Sequence, residues 1–128
     1  MLKFSTMHTV LFITEGVHDM LVIIGEQTNF SCSAIGIKVD IEWTVDGTEY
    51  DSCPPGRNSV ICYESSYMND TATTKSTLII TDSSDLGVGS HRIQCTMQQD
   101  LLGIDLSSEI AFLHIQAITS ESQSFLMR

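Results

Sequence analysis

The chain has 128 residues, 42% of them hydrophobic, which suits one domain around one core and is too short for two comfortable ones. Sixteen carboxylates against six Lys and Arg leave a net charge of −10 spread along the chain, a surface that repels phosphate backbones and argues against nucleic-acid binding. A charged content of 17% without biased tracts or repeats argues against disorder, and no run reaches the roughly eighteen apolar residues of a membrane span.

From the amino terminus, residues 1–9 read as an extension. The apolar run Val10–Ile13 is too brief for a signal-peptide core, so the expectation is an excised domain or an incomplete reading frame, whose signal and any anchor lie outside the sequence. Val10–Thr14 and Met20–Ile24 are two apolar runs separated by Glu15–Asp19, where Gly16 can bend the chain. Gln27–Ala34 alternates, with Phe30 and Cys32 on one face and Asn29 on the other; Asn29-Phe30-Ser31 is a glycosylation acceptor. Asp40–Val45 repeats the period with Ile41, Trp43 and Val45, and Asp46-Gly47 is a type I′ hairpin signal returning into Thr48–Ser52.

Cys53–Asn58 is turn chemistry, and Pro54 and Pro55 keep the short run Val60–Tyr63 from reading as a central strand. Ser65–Thr74 is polar and reads as a solvated loop with a second acceptor, Asn69-Asp70-Thr71. Lys75–Asp82 is a strand with Leu78 and Ile80 inward, and His91–Met97 another with Ile93, Cys95 and Met97 inward. Gln98–Ser107 reads as the final hairpin loop and Glu109–Gln116 as the last strand. Residues 117–128 are a serine-rich tail or linker.

Four cysteines, Cys32, Cys53, Cys62 and Cys95, allow three pairings. None has the close Cys/His spacing of a metal site, so disulfides in an oxidising compartment are the better reading. The order Cys32, Trp43, Cys95, with an alternating strand at each and the Ser76–Thr81 strand between, resembles the immunoglobulin superfamily. That resemblance spans residues 10–116 and implies an all-β, immunoglobulin-like antiparallel β-sandwich with Greek-key topology. It implies a Cys32–Cys95 bridge between the sheets, Trp43, Leu78 and Ile80 in the core, and a split first strand over Val10–Ile24. It also places Ala111, Leu113 and Ile115 inward. Cys53–Cys62 is then an addition to the family pattern, read as a local staple and not as a device presenting Arg57 and Tyr63. Gly89 and Ile93 stand where the family carries aspartate and tyrosine, so the tyrosine corner is absent and an antibody-like variable domain is disfavoured. The subtype, V-like or I-set-like, stays open.

No catalytic constellation emerges, and His8, His18, His91 and His114 stand isolated. Asp40, Glu42, Asp46, Glu49 and Asp51 gather around one hairpin, but same-face strand residues lie over 6 Å apart, so a solvated acidic face is expected and no metal or cofactor. The positive signal is apolar surface: Leu101, Leu102, Ile104 and Leu106 in the last loop, continued by outward Ile110 and Phe112. The resemblance implies an extracellular recognition or adhesion module binding a protein partner, homophilic contact and a weak homodimer included, through the sheet of Trp43, Cys95 and the last strand. The alternatives are a spacer in a multidomain receptor and a secreted immune-type domain for carbohydrate or pathogen surfaces.

Overall fold

The computed structural model describes residues 12–36, 39–55, 59–99 and 105–118. Its strands are β1 (Phe12–Glu15), β2 (Met20–Ile23), β3 (Thr28–Ile35), β4 (Val39–Val45), β5 (Thr48–Tyr50), β6 (Ile61–Met68), β7 (Thr73–Ile80), β8 (Gly89–Gln99) and β9 (Asp105–Gln116). They form a four-stranded sheet, β1-β3-β7-β6, facing a five-stranded sheet, β2-β9-β8-β4-β5. All pairs are antiparallel except β2 with β9, so the sandwich carries one parallel pair beyond the expected pattern. That exception follows from the split first strand: the chain leaves β3 at Glu15 and joins the opposite sheet as β2.

Gly16 stands at the crossing for reasons of space. It is absent from the glycines with positive φ, and a side chain there would meet the Glu109 carboxylate. One residue before β2, the ladder is completed by a side chain, since Asp19 Oδ1 accepts from the Phe112 N–H at 2.9 Å.

The core is the set of alternating positions: Phe30, Cys32, Ile41, Trp43, Val45, Leu78, Ile80, Ile93, Cys95, Met97, Ala111, Leu113 and Ile115 are all buried. Cys32 on β3 bonds to Cys95 on β8, and Cys53 bonds to Cys62. Trp43 is the register neighbour of Cys95 in one sheet, and Ser76 that of Cys32 in the other. Trp43 Nε1–H donates to Ser76 Oγ at 2.8 Å, so a hydrogen bond crosses the sandwich beside the disulfide. Ser76, completely buried, also accepts from Ser65 Oγ at 2.9 Å. Ser76→Val is expected to strand the indole N–H and to cost about 1–3 kcal/mol in urea unfolding with an unchanged m-value.

Several loops are shorter than the sequence suggests. Ser65–Thr74 is not a solvated loop: β6 continues to Met68, β7 begins at Thr73, and a turn of four residues joins them. Serines hid this hairpin, because its inward positions Ser65 and Ser76 are held by hydroxyl hydrogen bonds and not by apolar contact. The run Val60–Tyr63 is not a central strand: β6 starts at Ile61 and forms the edge of its sheet, extending past that run to Met68. The described residues of 98–107 are strand and not loop, because β8 extends to buried Gln99, which pairs with Asp105. At the other edge β5 stops at Tyr50, and Ser52 crosses to a parallel bridge with Tyr63.

With Ile93 buried where the corner tyrosine would stand, a histidine ties this end of the sandwich. Asp46 and Gly47 take φ of 53° and 85°, the left-handed pair of a type I′ turn. The Asp46 carboxylate accepts from the Arg92 N–H at 2.8 Å and from His91 Nδ1 at 2.7 Å, while His91 Nε2 donates to the Gly87 carbonyl at 2.8 Å. An imidazole facing acceptors at both nitrogens satisfies both only as imidazolium. Partial burial opposes that charge, but the bonds to Asp46 and Gly87 outweigh it and raise the His91 pKa above 6.5. Burial opposes the Asp46 charge too, yet the His91 and Arg92 bonds hold its pKa below 3.8.

His91 therefore adds stability that is full below about pH 6.5 and fades as pH rises through its folded pKa. The Asp46 contribution is present above about pH 3.9 and fades on acidification. Asp46 is half exposed, so the effect should stay under about 1 kcal/mol. The urea midpoint should fall from about pH 6 to about pH 8.5 by an amount that His91→Phe removes, as a matched pair of titrations would show.

Candidate interaction face

Strand alternation sends one set of side chains from the five-stranded sheet into the core and the other to the outside. On β9 the outward residues are Ile110, 50% exposed, and Phe112, 42% exposed, followed by exposed His114. The Phe112 and His114 rings stack, with centroids 6.5 Å apart and planes 23° from parallel, and Ser90 Oγ holds His114 Nδ1 at 2.7 Å. On the edge strand β2, Leu21 lies opposite His114 and is 62% exposed.

Leu21 escapes a sequence reading because Met20–Ile23 is apolar throughout. No polar residue marks which side of so short a strand is wet. The burial of Val22 decides that Leu21 points out.

Moving across the sheet, the apolar strip gives way to polar groups. Arg92 lies opposite Phe112 and Gln94 opposite Ile110, and the Arg92 guanidinium donates to Gln94 Oε1 at 3.1 Å. Beyond them exposed Asp40 and Glu42 on β4 and Glu49 on β5 make an acidic flank. The same carboxylates act on Tyr63: burial first, then Glu42, Asp51, Asp40 and Glu49, raise its pKa above 10.0. The face is thus an apolar strip on β2 and β9, a polar middle on β8 and a negative edge on β4 and β5.

Leu101, Leu102 and Ile104 lie outside the described residues. Leu106 falls within β9, opposite Gln98. Among the described residues, no group of three or more His, Cys, Asp and Glu could hold a metal ion. Asn29 is exposed on the outer face of the four-stranded sheet, and Asn69 is exposed in the β6–β7 turn.

No protein-family model matches the sequence, and no curated protein does. Solved structures match its shape. A chimeric titin Z1Z2 carrying an exogenous decorin peptide superposes with a TM-score of 0.62 at 16% identity, over 86% of this chain and 98% of that one. A complex of titin M10 with an obscurin-like 1 immunoglobulin domain gives 0.59 at 14% identity, over 85% and 96%. The chain has the immunoglobulin fold. Titin Z1Z2 in complex with telethonin gives 0.61 at 17% identity, over 87% of this chain and 50% of that one. At these identities the likeness is one of fold. On that fold this chain carries the Cys53–Cys62 staple, the histidine tie and the exposed strip on β2 and β9.

Proposed function

We propose that this domain is an extracellular recognition module that binds a protein partner through the outer face of its five-stranded sheet. The observation that carries the reading is the joint exposure of Leu21, Ile110 and Phe112 on adjacent strands, an apolar strip a soluble surface rarely leaves bare. With aromatic and aliphatic side chains at the centre and a polar, charged flank, the face has the anatomy of a protein interface. The acidic flank of Asp40, Glu42 and Glu49 favours a partner with a basic rim and repels another copy of this chain, so contact through this face is heterophilic.

Two disulfides support an oxidising, extracellular home. Both acceptor asparagines support the same choice of face, since glycans on Asn29 and Asn69 would clothe the four-stranded sheet and its hairpin tip and leave the other sheet open. Secreted from a eukaryotic host, the domain should lose the mass of two glycans on amidase treatment, and Asn29→Gln and Asn69→Gln should each remove one. Screening against a panel of cell-surface ectodomains, followed by hydrogen exchange of the complex found, tests the face. Protection is expected on β8 and β9; protection confined to β3 and β7 would refute the assignment. A pure spacer would bind no ectodomain.

A further inference from the structure

Among the described residues, three of the four sheet edges are short: β1 and β2 have four residues each and β5 has three. The fourth, β6, has eight and pairs with β7 along its whole length. From Glu64 to Met68 it has no proline, no lysine and no register shift, and its one charge is Glu64.

Which of its backbone groups face outward follows from two hydrogen bonds at its start. Cys53 N–H donates to the Tyr63 carbonyl at 2.8 Å, and Tyr63 N–H donates to the Asp51 carbonyl at 3.2 Å. Tyr63 therefore turns its backbone away from β7, and by the alternation of an antiparallel ladder Ser65 and Tyr67 do the same. Among the described residues nothing meets those groups. Tyr67, 52% exposed although on the inward period, and Met68, 48% exposed, end this open stretch.

We propose that β6 is a self-association edge, where a second copy of this chain adds its own β6 antiparallel across a two-fold axis. This surface is distinct from the face assigned above. The register is set by what the edge offers. An axis at Ser65 would place Tyr67 against the Tyr63 of the second copy, whose backbone is already bound to 51–53. An axis at Ser66 places Ser65 opposite Tyr67 in both directions, and four hydrogen bonds then satisfy every open group of both copies. It sets Glu64 opposite Met68 and keeps the two Glu64 carboxylates apart, whereas an axis at Glu64 would oppose them directly.

So small a contact gives a weak dimer, with a dissociation constant on the order of 0.1 mM. Two chains of charge −10 repel, so salt should strengthen it, the reverse of its effect on an acidic face binding a basic partner. Asn69 falls opposite Tyr63 just past the last bonded pair, so the dimer belongs to chains whose Asn69 carries no glycan, and all proteins compared carry Asn69→Gln. Sedimentation equilibrium between about 10 μM and 1 mM should show a monomer–dimer equilibrium that tightens from about 0.02 to 0.3 M salt. Tyr67→Pro removes an N–H that serves no bond within the sheet, and Ser66→Lys opposes two ammonium groups at the axis; each should weaken the dimer at least about tenfold. Phe112→Asp should leave it unchanged. A chain monomeric throughout, or a dimer indifferent to both β6 variants, or one abolished by Phe112→Asp, would overturn the proposal; Ser66→Lys decides if Tyr67→Pro does not fold.

Discussion

Replacing Cys32 and Cys95 together by alanine is expected to remove about 4 kcal/mol of stability on the chain-entropy account, because the bridge closes a loop with a sequence separation of 63. The Cys53–Cys62 bridge closes a separation of only 9 and is worth about 2.6 kcal/mol on the same account. A domain of this size has roughly 5–15 kcal/mol in all, so the first double variant approaches the unfolding threshold and the second does not. Trp43→Ala should cost roughly 3–5 kcal/mol, since the indole is fully buried against Cys95 and its N–H bond to Ser76 is lost with it. These losses share neighbours and will not add. Urea unfolding of the reduced and oxidised variants measures each, and a Cys32/Cys95 variant no less stable than the Cys53/Cys62 one would contradict this ranking.

Phe112→Asp should lower affinity for the protein partner at least about 100-fold, equivalent to about 2.7 kcal/mol, by placing a carboxylate in the middle of the apolar strip. The folded domain should hardly notice: the side chain is 42% exposed, its backbone bond to Asp19 is kept, and the change costs at most about 1 kcal/mol of strand preference. Ile110→Asp should behave alike and Leu21→Asp more mildly, being at the sheet edge. Glu42→Lys should act mainly on association rate and its salt dependence. Surface plasmon resonance with equal urea midpoints separates these effects from misfolding. Unchanged affinity in Phe112→Asp would move the binding site elsewhere.

The period-two positions of β3, β4, β7, β8 and β9 were legible in the chain because each apolar residue on them fills the space between two sheets. Asp46-Gly47 was legible for a local reason, the positive φ of both residues. The β6–β7 hairpin was not, since its paired inward-period residues Ser65 and Ser76 are serines, and Ser76 is buried on a hydrogen bond from Trp43, a residue distant in sequence. Nor was the histidine tie, which joins residues 46, 87 and 91 by side-chain geometry.

Hydrophobic alternation and the cysteine, tryptophan, cysteine order by themselves determined that two β layers close over one core, because burial depends on which residues alternate. Tertiary structure alone decided which strands lie at the edges, that Leu21 joins Ile110 and Phe112 on one face, and that the backbone of Ser65 and Tyr67 is left open. Those properties belong to neighbours brought together from distant parts of the chain, and no local pattern encodes an unoccupied side.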